Sequence, residues 1–172
     1  MTAVGRSRRT WGWHRLDDDW AARVVAAAGV RPGELVLDIG AGEGALTAHL
    51  VRAGARVIAV ELNAGRVRVL RERFPGVTVV HTDAAELRLP GRPFRVVANP
   101  PFAITAELLR LLLARGSRLT AADLVLQRAV VRKYVSGGTR GFAASAGLAI
   151  PRHAFAPRPR VDCAVLTLRR RR

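Results

Sequence analysis

The chain has 172 residues, 49% of them hydrophobic, with 29 Lys and Arg against 13 Asp and Glu, a formal charge of +16. That length and apolar content suit one domain around a single core and exclude general disorder, and no apolar run approaches the roughly 18 residues of a membrane helix. So large a cationic surplus suits a polyanionic partner, nucleic acid ahead of an anionic membrane. Codon usage in a GC-rich genome accounts for arginine standing in place of lysine, of which Lys133 is the only one, but not for the surplus over acidic residues. The lone cysteine, Cys163, has no internal partner, which fits a reducing compartment. Residues 1–13 are basic without the apolar core of a signal peptide, so a cytoplasmic protein is expected.

Residues 1–16 mix Arg6, Arg8, Arg9 and Arg15 with Trp11, Trp13 and His14, suited to phosphate contact and base stacking or to packing as an arm on the domain. Acidic residues at 17–19 and the helical spacing of Trp20, Val24 and Ala27 predict a helix over 17–28, ended by Gly29. Strands and helices then alternate: strand 34–39, helix 43–53, strand 56–61, helix 63–73 with Asn63 as its N-cap, and strand 77–81. A short helix or loop over 82–87 precedes strand 94–98, helix 104–114, strand 122–127 and a helix opening at 128. The glycine-rich residues 136–141 read as a mobile loop, and 143–150 and 162–168 as two last strands. The resulting division is an arm at 1–16, one domain at 17–168 and an arginine tail at 169–172. Alternation of this kind predicts an α/β, Rossmann-like fold: a mostly parallel seven-stranded sheet closed by an antiparallel C-terminal hairpin.

In such sheets ligands bind beyond the carboxyl ends of the strands, where Gly40-Ala41-Gly42-Glu43-Gly44 stands. Its spacing is shorter than the dinucleotide fingerprint, and Glu43 would repel a pyrophosphate, so a cofactor without phosphates fits better. Glu61 closes the second strand, where an acid can accept both hydroxyls of a ribose, with Leu62 beside it; this role suits NAD and S-adenosylmethionine alike. Asp83 and Ala84 are placed to meet an adenine amino group. Asp38 either holds the glycine turn or meets the cationic methionine end of S-adenosylmethionine. The ordered set resembles an S-adenosylmethionine site, and the whole pattern resembles the class I methyltransferase fold. The four histidines offer no metal spacing.

Asn99-Pro100-Pro101-Phe102 follows the fourth strand on the same rim and matches the Asn/Asp-Pro-Pro-Tyr/Phe motif of methyltransferases that modify exocyclic amino nitrogens. An adenine N6 lone pair is delocalised into the ring and is a poor nucleophile. Acceptance of its two hydrogens by the Asn99 amide oxygen and the Pro100 carbonyl localises that pair, while Phe102 offers a face for the base. Catalysis is then mostly positioning.

With Phe155-Ala156-Pro157-Arg158-Pro159-Arg160-Val161-Asp162 before the last strand, residues 10–168 resemble the ribosomal RNA adenine N6-methyltransferases. Within them the chain is most similar to short, arginine-rich forms of the large-subunit branch that confers macrolide–lincosamide–streptogramin B resistance. The resemblance implies S-adenosylmethionine as cofactor and an adenine of 23S ribosomal RNA in the peptidyl transferase region as substrate, in free RNA or an assembling large subunit, acted on by a monomer. Alternatives are a 16S ribosomal RNA adenine dimethyltransferase, a more distant DNA adenine methyltransferase, and a non-catalytic RNA-binding or ribosome-assembly protein of the same fold. Two departures stand out. Where the family usually has Gly-Gln-Asn-Phe-Leu, this chain has Gly12-Trp13-His14-Arg15-Leu16, leaving His14 to donate a hydrogen bond and Leu16 to pack at the cofactor. Family members also usually continue into a helical RNA-binding domain. The expected substitutes are Arg6, Arg8, Arg9 and Arg15; Arg132, Lys133 and Arg140; Arg152, Arg158 and Arg160; and the tail Arg169, Arg170, Arg171 and Arg172.

Overall fold

The computed structural model describes residues 13–172, so Arg6, Arg8 and Arg9 lie outside the described residues. Among the described residues nine strands and five helices follow in chain order: β1 (Arg15–Leu16), α1 (Asp18–Ala28), β2 (Leu35–Ile39), α2 (Ala45–Arg52), β3 (Arg56–Glu61), α3 (Ala64–Arg73), β4 (Thr78–His81), β5 (Phe94–Ala98), α4 (Thr105–Leu112), β6 (Leu119–Gln127), α5 (Arg128–Gly137), β7 (Phe142–Ile150), β8 (Phe155–Ala156) and β9 (Cys163–Arg170). Single 3₁₀ turns lie at Ala84–Glu86, Phe102–Ile104 and Arg152–Ala154. Local chemistry sets the helix ends. Asp17 accepts from the Trp20 amide at 2.9 Å to open α1, and Gly29, at φ 62°, closes it. Asn63 caps α3 by accepting from the Arg66 amide at 3.1 Å.

The main sheet has seven strands in the order β4-β3-β2-β5-β6-β9-β7. Pairing is parallel from β4 to β6, and β9 runs antiparallel to both β6 and β7. Every residue of β2 and β5 is buried, as expected of central strands covered on both faces. The two-residue period divides the core. Val36, Val57, Val97 and Val125 pack with α1 and α2 on one face, while Leu37, Ile39 and Val96 meet Leu108, Leu109 and Leu112 of α4 on the other.

Four features differ from the sequence reading. The last two strands do pair antiparallel across the linking residues 151–162, but the later one, β9, inserts between β6 and β7 and leaves β7 at the edge. Residues 136 and 137, read as part of a mobile loop, complete α5; Ser136 Oγ donates to the Arg132 carbonyl at 2.8 Å, and Thr139 closes the following turn on the Phe142 carbonyl. Arg169 and Arg170, read as tail, belong to β9. Arg169 Nη1 lies 3.0 Å from Asp123 Oδ2, and Arg170 donates to the Leu119 and Ser117 carbonyls. Finally, residues 15 and 16, read as the end of an arm, pair antiparallel with residues 156 and 155 and so belong to the folded domain.

Beneath the rim, the buried Arg95 joins Glu34 (3.1 Å) to Asp123 (3.5 Å) and donates to the Ala28 and Gly29 carbonyls. These groups tie β2, β5, β6 and α1 together well below the site. Among the described residues no helix is long and apolar enough to cross a membrane.

Candidate active site

The strand order turns back between β2 and β5: the chain moves outward from β2 through β3 to β4, then returns to the other side of β2. A crevice opens above such a switch point. It brings the turn after β2 against the turn after β5. Gly40, at φ 75°, is packed so closely that a Cβ there would meet Pro101 Cδ at 2.8 Å and Pro100 Cα at 3.4 Å. Asp38, Gly40, Leu16 and Asn99 line one cavity there, together with Trp13 and Arg15.

Asn99 is held by the N-terminal segment. Its Nδ2 donates to the His14 carbonyl at 2.7 Å, while its Oδ1 and the Pro100 carbonyl accept nothing from the described residues. The His14 ring does not face the cofactor cavity, where the sequence reading placed it. It lies against Phe102 with centroids 5.2 Å apart, reaches Phe155 edge-on at 6.4 Å, and donates from Nδ1 to the Pro157 carbonyl at 2.6 Å. Its hydrogen bond and the two aromatic rings hold the imidazole away from the lining, which Trp13, Arg15 and Leu16 reach. The indole of Trp13 rests on Gly42, where a Cβ would meet Cζ2 at 2.9 Å, and Arg66 covers the ring with Cζ 3.7 Å from its centroid.

Three buried carboxylates stand at the ends of β2, β3 and β4. Asp38 is 1% exposed and accepts from Thr47 Oγ1 at 2.7 Å. Burial raises its pKa to about 7, against the pull of the Thr47 hydroxyl and with a further push from Glu61. Glu61 accepts three backbone amides, from Gly42 (2.9 Å), Leu62 (2.7 Å) and Asn63 (2.8 Å). A carboxylate has about four acceptor positions, so one ribose hydroxyl finds room at once and the second only if one of the three amides lets go. Asp83 accepts from the Ala85 amide at 3.0 Å, with Ala84 opening the 3₁₀ turn, and Leu62 is exposed. Buried acceptors at successive strand ends fit a nucleoside carrying a cationic amino-acid end, and the glycines leave no Cβ in its way. Cys163 offers no rival nucleophile: burial, then nearby Asp162, pushes its thiol up to about 11.

A family model described as "Ribosomal RNA adenine dimethylase" matches residues 7–172. The chain belongs to the ribosomal RNA adenine dimethylase family. The chain is similar to an rRNA methyltransferase of Streptomyces thermotolerans (37% identical, 96% of this chain and 60% of the relative) and to the mycinamicin-resistance protein MyrB of Micromonospora griseorubida (39%, 87% and 50%). It is likewise similar to ribosomal RNA small subunit methyltransferase A of Leifsonia xyli subsp. xyli (strain CTCB07) (36%, 86% and 60%). Among solved structures, the 23S rRNA methyltransferase ErmE superposes with a TM-score of 0.81 at 30% identity, covering 92% of this chain and 70% of that one. The fold is that of class I methyltransferases. The chain spans about half to three-fifths of the length of these three curated relatives.

Of the cations expected to face RNA, Arg132 and Lys133 lie exposed on α5, and Arg140, Arg158, Arg160, Arg171 and Arg172 are exposed as well. Arg152 is tied to Asp162 at 3.4 Å, and Arg15 turns toward the cofactor cavity. Sequence reasoning missed Thr47, which anchors Asp38, and the Trp13–Arg66 stack. A hydroxyl at the third position of α2 is a faint signal for the first, and for the second there is none without the pairing of β1.

Proposed function

We propose that this chain is the catalytic unit of an S-adenosylmethionine-dependent ribosomal RNA adenine N6-methyltransferase, acting in the cytoplasm on an adenine of 23S RNA in the peptidyl transferase region and giving resistance to macrolide-type antibiotics. The observation that carries the chemistry is the Asn99 amide. With Nδ2 committed to the His14 carbonyl, its oxygen is left to accept, beside an open Pro100 carbonyl and against the glycine turn. Those two acceptors suit the two hydrogens of an exocyclic amine, and localising its lone pair is what that nitrogen needs to attack. When bound, S-adenosylmethionine supplies an electrophilic methyl group on sulfonium sulfur. Asn99 and Pro100 hold the amine in line with the crevice, Phe102 gives the base a face, Glu61 fixes the nucleoside end and Asp38 the amino-acid end. Positioning accounts for most of the rate, and the departing proton needs no strong base because alkylation acidifies the N–H.

The 23S assignment is supported by the likeness to ErmE and to a resistance protein. A 16S target is the second reading, favoured by comparable identity to small subunit methyltransferase A. Mass spectrometry of 23S and 16S RNA from cells expressing the chain separates the two. Methylated adenine in 23S RNA, lost with Asn99→Ala, is the expected result. Modification confined to 16S RNA selects the second reading, and modification that survives Asn99→Ala overturns the catalytic role.

A further inference from the structure

We infer that Arg15 belongs to the cofactor site, where its guanidinium receives the carboxylate of the methionine end of S-adenosylmethionine; this rests on the nucleoside site proposed above. The sequence places Arg15 among RNA-facing cations, but the fold turns it elsewhere. Pairing of β1 with β8 holds Arg15 opposite Ala156 and Leu16 opposite Phe155. Trp13, two residues earlier, rests on Gly42, which brings this segment against the glycine turn. Arg15, open to solvent, lines the same cavity as Leu16, Asp38, Gly40 and Asn99.

The charges in that cavity match an amino-acid end. A ligand with both an ammonium and a carboxylate needs a partner of each sign on opposing walls. Asp38 of β2 supplies the negative one, buried and anchored by Thr47. Two guanidinium groups border the cavity, but Arg73 is committed to the Glu43 carbonyl and lies over Phe74. Arg15 makes no side-chain hydrogen bond or ion pair among the described residues, and its planar fork suits a carboxylate in a bidentate pair.

The test compares two ligands that differ only in the amino-acid portion: S-adenosylhomocysteine, which carries it, and 5′-methylthioadenosine, which lacks it. Calorimetric affinities are measured for the full chain and for Arg15→Ala and Arg15→Lys, with circular dichroism confirming that each variant is folded. The expected result is that Arg15→Ala weakens S-adenosylhomocysteine about ten- to a hundredfold, leaves methylthioadenosine within about twofold, and is partly rescued in Arg15→Lys. Equal changes for both ligands, or an unchanged S-adenosylhomocysteine affinity with weaker RNA binding, overturn the inference and return Arg15 to the RNA surface. If the unmodified chain binds neither ligand, the nucleoside site itself is wrong and this assignment falls with it. A site that binds both ligands but ignores residue 15 defeats the Arg15 assignment alone.

Discussion

Gly40 and Pro101 touch so closely that no side chain fits between them: a Cβ on Gly40 would stand 2.8 Å from Pro101 Cδ. This contact joins the cofactor turn to the Asn-Pro-Pro-Phe turn, and Gly40 also holds φ at 75°. Gly40→Ala is expected to cost roughly 1–2 kcal/mol for the left-handed conformation alone. By shifting Pro101 and Asn99, it is also expected to slow single-turnover methyl transfer about a hundredfold. Urea unfolding and rapid-quench kinetics measure the two effects. Gly91→Ala is the control, with ordinary φ and open space around it.

The Trp13 indole stands where a ligand must approach Gly42, stacked under Arg66. Stopped-flow mixing with S-adenosylhomocysteine should show association several-fold faster in Trp13→Ala than in the unmodified chain. The emission change on binding should be lost in Trp13→Phe, because leaving the Arg66 cation alters the indole's surroundings. An unchanged association rate would show that the indole does not obstruct the turn.

Asp38 gives a pH signature. Its folded pKa is raised to about 7 by burial, so between about pH 4 and pH 7 the folded chain keeps a proton that the unfolded chain releases. Its contribution to stability therefore falls as pH rises through that window, with a slope of up to about 1.4 kcal/mol per pH unit. Asp38→Asn keeps an acceptor for Thr47 and removes the slope, so its stability relative to the unmodified chain should rise from pH 4.5 to pH 8 in urea titrations. Binding a cationic ligand beside Asp38 favours the ionised carboxylate, so calorimetry near pH 6.5 in buffers of different ionisation enthalpy should register proton release.

The arginines divide into two groups with opposite readouts. Arg158 and Arg160 are exposed, and Arg158→Ala with Arg160→Ala should reduce the slope of log affinity for single-stranded RNA against log salt by about 1.4, roughly 0.7 for each phosphate contact. Arg169→Ala should leave that slope alone and lower stability by about 1–3 kcal/mol, because the buried Asp123 loses a charged partner at 3.0 Å.

Much of the fold was legible because turn chemistry and apolar runs are local. Asn63 marked the start of α3, and the apolar run at 34–39 marked the strand that became β2. What stayed hidden depends on pairing between distant segments. Arg169 looked solvated in a run of four arginines, yet continuation of β9 beside β6 aims it at Asp123, which reads in sequence as an ordinary strand polar residue. The Asn-Pro-Pro-Phe turn could be placed from its position after β5. The orientation of its amide could not, because that depends on the carbonyl of His14, 85 positions earlier. The three carboxylates fell where strand ends put them, but the three amides on Glu61 are a property of how the glycine turn and α3 meet.

The pairing of β1 with β8 has a consequence for biosynthesis. His14 and Pro157, bonded across the rim, are 143 positions apart, so this stretch cannot be seated while the distal part of the chain is still being translated. The parallel strands β2 to β6 lie wholly upstream of that contact, but the amide that presents the base waits for residues 155–157. Contacts of such long range close slowly and late. A nascent chain therefore acquires its parallel strands before its chemistry, and one stopped short of residue 157 lacks both β9 and the carbonyl that seats His14.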